Sequence, residues 1–363
     1  MRKIIYLLMI FSLFMLPLQA MPNDTDLKKM IGRMLVVGFD DATIDERSTI
    51  VKELQRYELG GVILFDRFYK EKNHIKNISS SAQLQILTKE LKHYAKKPLL
   101  IALDQEGGMV ARLKARDGFA QTPSAFSVSK MPLVSAKEVY SQMAQMLNSN
   151  GINCDFAPVV DLAVNPDNKV IVGLERSYGK ESATVTQYAH MFMEALAQKG
   201  IISVLKHFPG HGSSLGDSHQ GFVDVTNTWS EKELEPYQNL INAKRVSMIM
   251  SAHVFNAKLD TIYPATLSYA TNTTLLRHKM GYQGVLVSDD LQMEAIARFY
   301  SLKETVTLAI NSGIDMLLFG NQLSHTNTDE IIETILAQVK SSAISFERIA
   351  EANERINKLD FHP

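Results

Sequence analysis

The chain has 363 residues, 45% of them apolar, enough to bury one large core and too apolar for a disordered chain. Its 38 Lys plus Arg balance 39 Asp plus Glu for a formal charge of −1, which argues against nucleic acid or an anionic membrane as partner and for an uncharged or weakly charged substrate. With no internal repeat, low-complexity tract or Pro/Gly-rich linker, one domain is expected.

Residues 1–20 differ in kind. Arg2 and Lys3 precede an apolar run from Ile4 to Leu16, and Ala20 suits a cleavage position ahead of the polar Asn23 and Asp24. This reads as a secretory signal peptide, shorter than the ~20 residues a membrane span needs. The expectation is an exported, periplasmic or secreted monomer of residues 21–363 that meets a membrane only if the leader is uncleaved.

Short runs rich in Val, Ile and Leu then alternate with helical patterns, the signature of a parallel sheet with crossover helices. The first predicted strand, Leu35–Phe39, ends in Asp40-Asp41, and the second, Gly61–Phe65, in Asp66-Arg67. A helix is predicted over Ser81–Tyr94, with Leu84, Leu87, Leu91 and Tyr94 on one face. The third strand, Leu99–Leu103, delivers Asp104-Gln105-Glu106 and then Gly107-Gly108, read as glycines that let a ligand approach closely, with Arg112 following. A carboxylate such as Asp104 accepts from two hydroxyls of a polar substrate, and arginines supply rigid donors. The next helix is predicted over Ser135–Leu147, opened by a capping Ser135 with Glu138 three residues on. The fourth strand, Asn153–Pro158, leads to Asp161, and Cys154 within it, the only cysteine, reads as a buried small side chain. Taken alone, Arg176 in Glu-Arg-Ser-Tyr-Gly reads as a surface ion pair with a neighbouring acid.

The fifth strand, Ile202–Leu205, runs into Lys206-His207-Phe208-Pro209-Gly210-His211-Gly212-Ser213-Ser214-Leu215-Gly216-Asp217-Ser218-His219. Its glycines and serines read as a mobile lid. Asp217 and His219 form an Asp-x-His pair, in which the carboxylate orients the imidazole for proton transfer near neutral pH. His211 reads as a structural residue bonded to the loop backbone. A metal site drawn from His207, His211, Asp217 and His219 is a rival reading, though the helical His-Glu-x-x-His spacing is absent.

The sixth strand, Ser247–Met250, precedes His253, and the seventh, Val285–Val287, runs through Ser288 into Asp289-Asp290. Adjacent residues on a strand cannot both point one way, so Asp289 is assigned to the pocket as a nucleophile and Asp290 to capping the next helix; Met293 reads as core filler. The eighth strand, Met316–Phe319, precedes Asn321. Polar chemistry after all eight strands fits a single-domain α/β fold, a (β/α)8 TIM-type barrel whose strand ends share one pocket, better than a doubly wound sheet with one switch point.

Over most of residues 30–321 the chain resembles the β-N-acetylglucosaminidases of glycoside hydrolase family 3, above all in the Lys206–His219 motif, in Asp104-Gln-Glu-Gly-Gly and in Ser288-Asp-Asp-Leu. The resemblance implies a (β/α)8 barrel, Asp289 as nucleophile and His219 paired with Asp217 as acid/base. It also implies substrate contacts at Asp104, Arg112, Arg176, Lys206 and His207, and no metal or organic cofactor. The implied reaction is retaining hydrolysis of terminal β-linked N-acetylglucosamine from peptidoglycan fragments or chitin oligosaccharides. A metal-dependent amidohydrolase on a similar barrel and a β-glucosidase with the same machinery are the alternatives. The residues after Asn321 suffice only for terminal helices, so no second domain is expected to supply an acid/base.

Overall fold

The computed structural model describes residues 22–218 and 221–359; the segment 1–20 expected to be a leader and His219 lie outside the described residues. Eight parallel strands form the barrel: β1 (Leu35–Gly38), β2 (Gly61–Ile63), β3 (Leu100–Leu103), β4 (Cys154–Asp155), β5 (Ile202–Phe208), β6 (Met248–Ser251), β7 (Val285–Ser288) and β8 (Leu317–Phe319). Neighbours pair in chain order, from Val36 opposite Gly61 to Met248 opposite Val285. Leu35 opposite Leu317 joins β1 to β8, and a bridge between Val287 and Met316 joins β7 to β8 and completes the ring. Every predicted strand is present. These runs were legible because strands buried on both faces are almost continuously apolar.

Helices follow each strand, and two more, Asp24–Arg33 and Phe346–Asn357, flank the ring. The helix at Ser81–Tyr94 has its predicted limits, with Ser80 capping the Gln83 N–H and Leu84, Leu87 and Leu91 buried. The next helix spans Leu133–Ser149, not Ser135–Leu147. Pro132 leads into it in an extended conformation; its preset φ and missing N–H suit the boundary of a helix. Ser135 therefore sits within the first turn and caps nothing, and Glu138 instead accepts a hydrogen bond from Gln142.

Cys154 is buried, as expected. Beside the main core, Val223, Val225, Trp229 and Val254 form a small apolar cluster around a parallel two-stranded pairing of Val223–Asp224 with Val254–Phe255. Trp229 donates from its indole to the Pro209 carbonyl. This cluster braces the loop after β5 from outside the barrel.

Candidate active site

A cavity of ≈ 440 Å³ opens at the carboxyl ends of the strands. Its wall includes seven residues singled out from the sequence: Asp104, Arg112, Arg176, Lys206, His207, Asp217 and Asp289. Gathering side chains from the ends of β3, β5 and β7 and from three loops is what closure of a parallel barrel does.

The two halves of the wall differ in chemistry. On the β3–β5 side, Lys206 donates to Asp104 at 2.9 Å and pairs with Glu106 at 2.6 Å. Arg112 holds the other oxygen of Asp104 at 2.8 Å. Arg176 grips Glu106 with two parallel bonds of 2.7 and 2.8 Å, a bidentate pairing that fixes orientation as well as charge. Arg176 is thus an ion pair, as its local sequence suggested, but a buried one, made 70 residues away in sequence rather than with a neighbouring acid. On the other side, Ile63, Phe65, Met250 and Leu318 present an apolar surface. Met293 is buried as predicted, yet it belongs to this wall as well as to the core.

Consecutive strand residues normally face opposite ways, yet Lys206 and His207 both reach the cavity. β5 runs on to Phe208, past the predicted end at Leu205, and its register with β6 shifts between Leu205 and Phe208; such irregularities re-aim side chains at barrel rims. His207 Nδ1 lies 2.7 Å from Asp161 and its Nε2 lies 3.2 Å from an Arg176 nitrogen. A guanidinium can only donate, so Nε2 accepts and the ring proton sits on Nδ1, donated to Asp161.

Burial opposes the charges of Asp104 and Glu106, but Lys206 with Arg112, and Arg176 with Lys206, outweigh it and hold both carboxyls below their ordinary values. The same two acids outweigh the burial of Lys206 and raise its pKa. Beneath them Asp155 is fully buried. One of its oxygens accepts from the Gln105 N–H at 2.9 Å and the other has no hydrogen-bond partner among the described residues. Burial pushes this carboxyl up to about 8, with Asp104 and Glu106 adding to the rise and Lys206 opposing it. A carboxyl raised on folding stabilises fully below its unfolded value of ~3.9 and loses that contribution as pH rises through about 8. Asp155→Asn, whose amide oxygen still accepts from Gln105, is therefore expected to flatten the fall in melting temperature between pH 4 and pH 9, followed by thermal denaturation. An unchanged slope would refute the assignment.

The acids that end β7 depart from expectation in one respect. Asp289 lines the cavity, and so does Asp290: both lie beyond Ser288, where strand alternation no longer applies. Asp290 does not cap the following helix, Glu294–Ala297, which Met293 precedes. It accepts from Gln292 N–H at 3.0 Å and Gly320 N–H at 3.3 Å, tying the turn after β7 to the end of β8. His253 Nε2 donates to the Asp290 carbonyl, 2.9 Å away, and the side chain does not line the cavity.

The loop after β5 is also different from the predicted lid. His211, Gly212, Ser213 and Ser214 are buried, and a Cβ on Gly212 would lie 1.7 Å from the Leu162 carbonyl, so this glycine serves close packing rather than flexibility. The Asp161 carboxylate accepts from His211 N–H at 2.8 Å, and Glu233 accepts from Gly212 N–H at 3.0 Å. Burial and neighbouring His207 lower His211 to about 4, and its Nδ1 meets the Ser214 hydroxyl at 2.7 Å. It is structural, as expected, although bonded to a side chain rather than to the loop backbone. Only from Leu215, 69% exposed, does the chain leave this packing, and Asp217 follows on the cavity wall. Gly107 and Gly108 likewise admit the backbone of Pro123 and Ser124, not a ligand.

Glu106, Asp155 and Asp161 were not singled out as site residues, although Glu106 and Asp161 follow strands and Asp155 lies within one. Asp66 and Arg67 stand outside the cavity wall; Asp66 pairs with Lys114 and Arg67 with Asp117, clasping the loop that carries Arg112. The rival metal reading loses two of its ligands, since His207 and His211 commit ring nitrogens to protein groups. Among the described residues no three His, Cys, Asp or Glu side chains converge as a metal cluster.

Residues 26–359 match the model of the glycosyl hydrolase family 3 N-terminal domain. The chain is 37% identical over 277 residues to a β-hexosaminidase of Tolumonas auensis, covering 74% of this chain and 78% of that one. It is 34% identical over 332 residues to β-hexosaminidase A of Pseudoalteromonas piscicida, covering 84% of this chain but only about half (54%) of that protein's length. A family 3 β-N-acetylglucosaminidase from Paenibacillus sp. superposes with a TM-score of 0.82 at 32% identity, over 92% of this chain and 62% of that one. With a closed (β/α)8 barrel, a carboxylate-lined pocket at its strand ends and these matches, the chain belongs to glycosyl hydrolase family 3.

Proposed function

We propose that this chain is a retaining β-N-acetylhexosaminidase that removes terminal, non-reducing β-linked N-acetylglucosamine. The observation that carries the reading is the placing of Asp289 on the same cavity wall as the Asp104–Lys206–Arg112 and Glu106–Arg176 arrays. The arrays offer paired acceptors and donors to sugar hydroxyls, and Asp289 offers a carboxylate to the anomeric carbon.

In the first step an Asp289 oxygen forms a bond to C1 as the C1–O bond to the leaving group breaks, through an oxocarbenium-like transition state. The departing oxygen takes a proton from His219, whose imidazole Asp217 orients. In the second, His219 accepts a proton from water as that water attacks C1 and releases Asp289, and net configuration is retained. Most retaining glycosidases use a second carboxyl as acid/base; here the Asp217–His219 pair takes that role. The natural substrates we assign are peptidoglycan fragments or chitin oligosaccharides met outside the cytoplasm by an exported monomer, an assignment that rests on the family resemblance and on reading residues 1–20 as a leader.

The purified chain is expected to hydrolyse a chromogenic β-N-acetylglucosaminide on the order of a hundredfold better in kcat/KM than the β-glucoside, since a site built to hydrogen-bond a substituent discriminates against its absence, and EDTA is expected to leave the rate unchanged. Preference for the glucoside would move the specificity, and loss of activity in EDTA would reopen the metal-dependent reading.

A further inference from the structure

Between two buried serines the loop after β5 makes a short excursion toward solvent. Ser214 is buried, Leu215 is 69% exposed, Gly216 and Asp217 are half-buried, and Ser218 is buried again. One ring joins the two serines. His211 Nδ1 meets the Ser214 hydroxyl at 2.7 Å, and its Nε2 faces the Ser218 hydroxyl at 3.5 Å. We propose that His211 is a positioning residue for proton transfer: it pins both ends of the segment 215–217 and so sets where the Asp217 carboxylate stands on the cavity wall. The proposal rests on the glycosidase reading above, in which Asp217 orients the proton donor, and adds to it what holds Asp217 in place.

The ring is itself held from the loop after β4. Asp161 accepts from the His211 N–H at 2.8 Å. The buried Asn168 amide donates to the His211 carbonyl at 2.8 Å and to the Ser214 hydroxyl at 3.1 Å, and the Asn165 amide donates to the Ser214 carbonyl at 2.9 Å. At the other end the Ser218 carbonyl accepts from the Ala295 N–H at 3.3 Å, in the helix Glu294–Ala297 that follows the turn bearing Asp289. His211 thus stands between an anchor beside the sugar-binding groups and an anchor beside the nucleophile.

The chemistry of the ring suits the task. Burial and His207 keep it neutral above pH about 4. A neutral imidazole donates through one nitrogen and accepts through the other, and a hydroxyl does either, so both serines are met in either tautomer. His211 does not line the cavity, and its route to the reaction runs through the residues it holds. Fixing both ends of so short a segment leaves it few conformations, whereas freeing one end gives Asp217 many, few of them productive.

The test compares two β-N-acetylglucosaminides that differ in their need for a proton. Dinitrophenolate departs without one, whereas phenol leaves well only when protonated, so the phenyl glycoside alone reads proton transfer. His211→Asn keeps an amide nitrogen near the Ser214 hydroxyl and lacks the arm to Ser218. It is expected to lower kcat/KM by about thirtyfold on the phenyl glycoside, part of the ~10²–10⁴-fold that a positioned acid contributes, and by less than about threefold on the dinitrophenyl glycoside. Ser218→Ala, which removes one hydroxyl, is expected to act in the same direction by about fivefold. Turnover of the dinitrophenyl glycoside shows that each variant is folded, and if His211→Asn is not, Ser218→Ala decides alone. Asp217→Ala is the reference: it should itself spare the dinitrophenyl glycoside, and in its background His211→Asn should add less than about twofold on the phenyl glycoside, because residues acting through one route are not additive. Losses that are absent, or equal on the two substrates, in either variant overturn the proposal and leave the glycosidase reading intact, as does full additivity with Asp217→Ala. If Asp217→Ala lowers both substrates alike, the acid/base reading falls and the positioning role with it.

Discussion

Asp289→Ala is expected to lower kcat on an activated aryl glycoside by on the order of 10⁴-fold or more, since it removes the group that forms the covalent intermediate. The fold should survive. Asp289 is only half-buried, and its carboxylate accepts from the N–H of Asp290 at 2.8 Å. Azide entering the space left by the carboxylate is expected to restore part of the turnover and to give a glycosyl azide of inverted configuration, identifiable by NMR. A loss smaller than tenfold, or azide without effect on rate and product, would place the nucleophile elsewhere. Asp290→Asn provides the contrast, because Asp290 holds the Gln292 and Gly320 amides and its loss should be read mainly in stability.

Lys206→Met is expected to cost both stability and activity. Lys206 is 2% exposed and lies between Asp104 and Glu106. Without it two buried carboxylates keep only their arginine partners, and breaking a buried ion pair by removing one member costs about 3–5 kcal/mol. Urea unfolding should show that loss, and kcat/KM should fall with it because Asp104 is no longer held for substrate. Adding Asp104→Asn to Lys206→Met should recover part of the stability and none of the activity. A single-variant loss below about 1 kcal/mol would mean that water replaces the ammonium and that the network is not a buried one.

The pH dependence follows from the same groups. Asp104 and Glu106 are held below their ordinary values by their cationic partners, despite burial. Their contribution is therefore present above the unfolded carboxyl range and lost as pH falls through their depressed folded values. Asp155, raised, runs the other way. The wild-type protein should thus lose stability toward both acid and alkali, and Asp155→Asn should relieve only the alkaline side.

Some of this was legible in the chain alone because the signals are local. Eight apolar runs followed by polar residues are a property of consecutive residues, and they define a barrel and its functional end. Residues at or just beyond strand ends, Asp104, Lys206, His207 and Asp289, could be named because leaving a strand at that end delivers a side chain to the pocket. The long motif from Lys206 carried the family resemblance for the same reason.

What remained hidden depends on partners distant in sequence. Glu106 and Arg176 are 70 residues apart, Asp161 and His207 are 46 apart, and nothing in either local segment announces the pairing. The apparent flexibility of Gly210–Ser214 was misread because glycine marks freedom in an isolated chain, whereas here Gly212 is required by the Leu162 carbonyl. Folding encloses Lys76 among Asp40, Phe65, Phe68 and Asn321, and its own segment does not announce the two distant partners Asp40 and Asn321. Sequence by itself determined which residues stand at the catalytic end of the barrel, since strand polarity and the period of apolar residues are written along the chain. Only the tertiary structure decided which charges neutralise one another, which acid stays protonated and which side chains hold the loop after β5, because burial, hydrogen bonding and Coulomb interaction depend on distances that closure of the barrel creates.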